Sequence, residues 1–163
     1  MVSKDSKIAV LGIGNTLMQD EGVGVHMVNA LMQDWRFEPE IEIADGGTMG
    51  LELMDYFREN DKIIIVDAVN FNKEPGFVGS IENEDILARL NTKLTLHHLG
   101  LTDVLASLKL IDVNPEQIFL IGVQPEKVEL GLEMTETIEG KMGRMLEVIL
   151  MKLKEWGVEA TQK

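Results

Sequence analysis

Lys62-Ile63-Ile64-Ile65-Val66-Asp67 is followed by Val69-Asn70-Phe71-Asn72-Lys73-Glu74-Pro75 and then by Gly76-Phe77-Val78-Gly79-Ser80-Ile81. The first run is the most apolar in the chain and reads as a strand buried on both faces. The run from Gly76 to Ile81 reads as the next strand. A parallel crossover needs about a dozen residues, usually including a helix, and the link from Val69 to Pro75 is too short to supply one. The Gly76–Ile81 strand is therefore antiparallel to its neighbours or sits at an edge of the sheet. Strands alternate with helical patterns on either side of this stretch. Ile8 to Gly14 reads as the first strand, and Val23, Met27, Ala30 and Leu31 mark the first helix. Glu40 to Ala44 reads as the second strand, and Leu51, Leu53, Met54 and Phe57 mark the second helix. Leu101, Val104, Leu105 and Leu108 mark a third helix after His97-His98, and Gln117 to Val123 is the fifth strand. A long last helix is expected from Thr135 to Trp156, with Glu159 to Lys163 as a frayed tail. The expected fold is a three-layer α/β/α sandwich around a five-stranded mixed sheet with strand four antiparallel, formed by one domain over residues 1–163.

Composition narrows the function. Lys+Arg is 15 and Asp+Glu is 28 in 163 residues, for a net charge of −13. Nucleic acid and anionic membrane surfaces are poor partners for such a chain, because both demand clustered Lys and Arg. There are no cysteines, so disulfides, thiolate nucleophiles, iron–sulfur clusters and Cys-ligated zinc are excluded, and a metal site must use His, Asp and Glu. The longest apolar run falls far short of the roughly 20 residues of a spanning helix. The polar N-terminus carries no signal-peptide pattern, and a cytoplasmic protein is expected. The methionines at 32, 49, 54, 142, 145 and 151 sit mostly in helical stripes and are expected to fill the core.

Ligands in open α/β sheets bind beyond the carboxyl ends of parallel strands. The residues just past each strand are polar: Gly14-Asn15-Thr16-Leu17-Met18-Gln19-Asp20-Glu21-Gly22, Asp45-Gly46-Gly47-Thr48, Asp67, and Gln124-Pro125-Glu126. Asp67 is the sharpest of these, because an ionisable group directly after four apolar strand residues is costly unless paired, hydrated or metal-bound. Asp20 and Glu21 precede a helix, where capping is the plain explanation. Asp45 before Gly46 suits a turn. Gly22 and Gly24 at a helix start imply either close backbone approach or a frayed turn. His26 reads as structural or exposed. His97 and His98 point about 100° apart on a helix, so at most one faces the strand ends. Gly12-Ile13-Gly14 lacks the third glycine of a dinucleotide fingerprint, since Leu17 stands there. The zincin and nucleophile-elbow patterns are absent. Two carboxylates with one imidazole would suit a borderline ion such as nickel or zinc, with positions left open for water or substrate.

The blocks Ile8–Leu17 with Asp20-Glu21-Gly22-Val23-Gly24-Val25, Asp45-Gly46-Gly47-Thr48, Ile64-Ile65-Val66-Asp67-Ala68, His97-His98-Leu99-Gly100-Leu101 and Gly122-Val123-Gln124-Pro125-Glu126 resemble, in order, those of the nickel–iron hydrogenase maturation endopeptidases. The resemblance spans nearly the whole chain. It implies a cytoplasmic, monomeric peptidase that removes a short C-terminal extension from the hydrogenase large-subunit precursor after nickel insertion, with the nickel as recognition mark. Other maturation factors are implied as further partners. It maps metal contact onto Glu21, Asp67 and His97 and a catalytic or structural role onto Asp45, the catalytic one being to orient water. The nickel is carried by the substrate, and zinc or cadmium are ions able to occupy the same site. The implied fold is again a five-stranded mixed sheet between helices. The family often has Arg where this chain has His26, and Gln where it has His98. Two other functions compete: a metal-binding assembly chaperone without proteolytic activity, and a different α/β hydrolase acting on a small nucleotide or amide.

Overall fold

The computed structural model describes residues 6–47, 50–90 and 99–163. In chain order the elements are β1 (Ile8–Ile13), α1 (Val23–Asp34), β2 (Trp35–Glu38), β3 (Glu42–Gly47), α2 (Met54–Glu59), β4 (Lys62–Ala68), β5 (Val78–Glu82), α3 (Glu84–Leu90), α4 (Leu99–Leu110), β6 (Gln117–Val123), α5 (Glu136–Glu139), α6 (Met142–Glu155) and β7 (Glu159–Gln162). Single 3-10 turns at Gln19–Gly22 and Leu51–Leu53 lead into α1 and α2.

The central sheet has the order β3-β1-β4-β6-β5. Its pairings are parallel except between β5 and β6. The strand expected fourth, β5, is thus the antiparallel edge that the short link requires. That link never crosses the sheet. Val69 N–H donates to the Val123 carbonyl at 3.0 Å, Gly76 N–H to that of Gln124 at 2.8 Å, and Gln124 N–H to that of Phe77 at 2.8 Å. The chain rounds the end of β6 and returns along its free side.

β1 and the Ile63–Val66 run of β4 are apolar because helices cover both faces. Alternate residues divide between two cores. Ile8, Val10, Ile64 and Val66 pack with Val23, Met27 and Leu31 of α1 and Met145, Ile149 and Leu153 of α6. Ala9, Leu11, Ile63 and Ile65 pack with Phe57 of α2, Ile86 of α3 and Leu101, Val104 and Leu108 of α4. Each fully buried Val, Leu or Ile among them contributes about 1.5–3 kcal/mol, so this strand pair anchors both cores. The helices on the two faces complete the expected sandwich.

Four local expectations fail for identifiable reasons. The tail does not fray: Glu159–Gln162 forms β7, antiparallel to β2, from Trp35↔Gln162 to Glu38↔Glu159. Lys163 N–H closes it on the Asp34 carbonyl at 2.8 Å. The polarity of the tail is real, but a partner strand remote in sequence accepts its backbone. The last helix is two: α5 stops at Gly140 and α6 starts after Lys141, since glycine is among the poorest helix formers. The second strand is shifted, so Asp45, Gly46 and Gly47 lie in β3 instead of a turn. The methionines are mixed: Met145 is buried, whereas Met32 and Met151 are exposed, and Met49 lies outside the described residues.

Candidate active site

β1 lies between β3 and β4, so connections diverge to either side of it. Such a switch point leaves a crevice beyond the carboxyl ends of the strands. Gly14 sits at its mouth, with φ +136°. A Cβ there would strike the Glu21 carbonyl oxygen and stand 3.6 Å from Asp67 Oδ1. The absence of a side chain at 14 thus lets the Glu21 turn settle against the end of β4. Gly24 acts likewise one turn later: a Cβ would strike the Val66 carbonyl and come within 2.5 Å of the Ile13 carbonyl oxygen. A Cβ on Gly22 would come within 2.8 Å of Thr16 Cα, so for Gly22 and Gly24 close backbone approach is the correct one of the two explanations.

Asp67 is fully buried. Its Oδ1 accepts the Ala68 N–H at 2.8 Å. By strand alternation it shares the face of Ile63 and Ile65, toward α2 and α4. Glu21 is half-buried in the 3-10 turn. Asp45 is exposed near the end of β3 and pairs with Gly12 in register. Gly47, two residues on, accepts the Gly14 N–H at 2.9 Å through its carbonyl. Asp45, Glu21 and Asp67 therefore belong to one rim, carried by three adjacent strand ends. His97, His98 and Thr48 lie outside the described residues. Among the described residues no group of three or more His, Asp or Glu is placed to hold a metal ion.

Asp20 does not cap a helix. It is fully buried, and its carboxylate collects the segment that comes after β6. Oδ2 accepts the N–H groups of Glu126 at 3.0 Å and Lys127 at 2.9 Å. Oδ1 accepts the Thr135 N–H at 2.8 Å, and the Thr135 hydroxyl donates to the carboxylate at 2.9 Å. The cost of burying the charge is offset by this set of donors. No sequence signal marks the link, because nothing in local spacing relates residue 20 to residues 126–135. Gln124 performs a similar service for the segment after β4. Its Oε1 accepts the Phe71 N–H at 2.7 Å and its Nε2 donates to Asn70 Oδ1 at 3.2 Å. His26 is half-buried on α1 against Gly22, as a structural residue would be.

The HycI family model, described as hydrogenase maturation protease, matches residues 25–152. The chain belongs to the hydrogenase maturation protease family. It is 40% identical over 155 residues to the hydrogenase 2 maturation protease of Escherichia coli (strain K12), covering 94% of each chain. It is 35% identical over 159 residues to the hydrogenase expression/formation protein HupD of Rhizobium leguminosarum bv. viciae, covering 96% of this chain and 79% of that one. Among solved structures, the hydrogenase maturating endopeptidase HybD from E. coli superposes with a TM-score of 0.91 at 39% identity, over 96% of this chain and 98% of the other. The [NiFe] hydrogenase maturation protease HybD from Thermococcus kodakarensis gives 0.75 at 25% identity, over 90% and 98%. Membership in a protease family makes this chain a peptidase, and its mixed sheet is the one those relatives share. No described helix is long and apolar enough to cross a membrane.

Proposed function

We propose that the chain, as one monomeric cytoplasmic domain, cleaves the C-terminal extension from a nickel–iron hydrogenase large-subunit precursor once nickel has been inserted. The nickel belongs to the substrate. Glu21, Asp67 and His97 complete its coordination and so fix the scissile bond against the rim, a positioning effect. Asp45, exposed one strand over, orients the water that attacks the scissile carbonyl. The observation that carries this is that a Cβ on Gly14 would meet the Glu21 carbonyl and stand 3.6 Å from Asp67 Oδ1, so both residues border Gly14 at the switch point. The position of α4 supports the third ligand. α4 shares Asp67's face of the sheet and ends six residues before β6 begins. Its 12 residues span about 18 Å, so its start, directly after His98, lies toward the carboxyl rim.

The test is incubation of purified protein with nickel-loaded and nickel-free precursor, followed by intact mass measurement. Loss of the C-terminal segment from the loaded precursor alone is the expected result. Equal cleavage of both overturns nickel as the recognition mark. A precursor that binds and stays intact makes the chain an assembly chaperone. Turnover of a small amide or nucleotide without the precursor makes it a different hydrolase.

A further inference from the structure

We propose that Leu17, Leu130 and Leu132 form a ledge that docks the precursor polypeptide beside the carboxylate rim, held in place by Asp20. This rests on the function proposed for the rim. Leu17 is 55% exposed, Leu130 84% and Leu132 69%. Single exposed leucines need no explanation, but these three sit on two segments tied together. Gly131 N–H donates to the Leu17 carbonyl at 2.9 Å, and Gln19 N–H donates to the Gly131 carbonyl at 3.0 Å. Met18 and Gly131 form the resulting parallel bridge, so the exposed leucines flank one bridge on both segments. Exposed apolar side chains gathered on two bridged segments suit an interaction site.

The way the ledge is held strengthens the case. Fixing a segment costs conformational entropy, and a segment whose leucines stay in water recovers none of it by their burial. The order comes from polar groups instead: the Asp20 carboxylate with its donors at 126, 127 and 135, and the two bridge bonds. Gln19 holds a left-handed φ of 51° at the join, a strained conformation that persists only where surroundings enforce it. A Cβ on Gly131 would approach Gln19 Cγ to 3.0 Å, so glycine permits the close pairing. Leu17 stands four residues before the rim residue Glu21, on the same connection after β1. Residues 126–136 carry Glu126, Glu129, Glu133 and Glu136 against the single Lys127. The occupant that fits is an apolar stretch of the precursor flanked by Lys or Arg, in the complementary arrangement.

The test is the double variant Leu130→Ser/Leu132→Ser, whose exposed positions leave the core untouched, with thermal melting to verify the fold. Its KM for nickel-loaded precursor is expected to rise about tenfold or more with kcat unchanged, the signature of lost uniform binding. A KM within about twofold of wild type, or a loss confined to kcat, overturns the ledge. Wild-type self-association that the variant abolishes also overturns it, by assigning the ledge to a second copy. If the wild type cleaves no precursor, the proposed function fails separately. Direct binding of the same precursor to both proteins then decides the ledge: weaker binding by the variant supports it, and equal or absent binding overturns it.

Discussion

Both ends of the central sheet bury charge, and they neutralise it differently. At the amino ends, cations meet carboxylates and rings. The Lys62 side chain, 5% exposed, lies 3.9 Å from Glu116 and over the Trp156 ring at 5.8 Å. Lys152, 12% exposed, reaches Glu82 at 3.0 Å and Glu155 at 3.3 Å, and covers Phe119 at 4.8 Å. At the carboxyl ends the buried charges are acids, Asp20 and Asp67, and the donors named for them are mainly backbone N–H groups. A lysine stem lying on an aromatic face fastens an edge and can be replaced by another apolar stem. A carboxylate held by backbone donors is fixed in orientation at the switch point. One end is fastened by cations on rings and carboxylates, and the proposed recognition site lies at the other.

The largest effect expected is at the recognition end. Asp67→Asn, nearly isosteric, should cut processing of nickel-loaded precursor by about 100-fold or more, as misplacement of a reacting group does, while the melting temperature stays close to wild type. Wild-type processing by this variant would remove Asp67 from the site and break the contrast between the ends. Next comes Asp20→Ala. It strands three backbone N–H groups and the Thr135 hydroxyl, at about 2–4 kcal/mol in a urea titration. A loss below about 0.5 kcal/mol would mean that the segment after β6 is held by something other than the carboxylate.

Smaller changes are expected at the cohesive end. Deleting Glu159–Lys163 removes β7 and should lower stability by about 1–2 kcal/mol through lost cross-strand pairing, with processing unaffected; a fall in kcat would tie the tail to the site. Lys152→Met keeps the stem and loses the ion pairs, which are worth about 1 kcal/mol or less. Burial opposes the charge on Lys152, but hydrogen bonds and attraction from Glu82 and Glu155 outweigh it and raise the pKa above the ordinary 10.5. A raised cationic pKa adds stability that is complete below the ordinary value and disappears as pH climbs through the folded-state value. Wild type should therefore lose more stability than Lys152→Met between pH values of about 10 and 12. Parallel curves would show that the two glutamates contribute nothing.

Much of this was legible locally. The apolar runs of β1 and β4, the short link before β5 and the helical stripes are one-dimensional consequences of burial and chain reach, so the mixed sheet followed from them. Asp67 stood out because a charge after four apolar residues needs a reason. The failures share a cause as well. Asp45 read as a turn because Asp-Gly prefers one, yet pairing with Gly12 holds it in β3. The tail read as frayed because its polarity hides a partner at Trp35–Glu38.

By itself the sequence determined the layer order, the edge strand and the acids that stand at strand ends, because periodicity, loop length and the cost of buried charge act along the chain. Only the tertiary structure decided that Gly14 seats Glu21 beside Asp67, and that Asp20 ties residues 17–21 to residues 126–135. Those contacts join segments remote in sequence, and their energies depend on distances that no local pattern encodes.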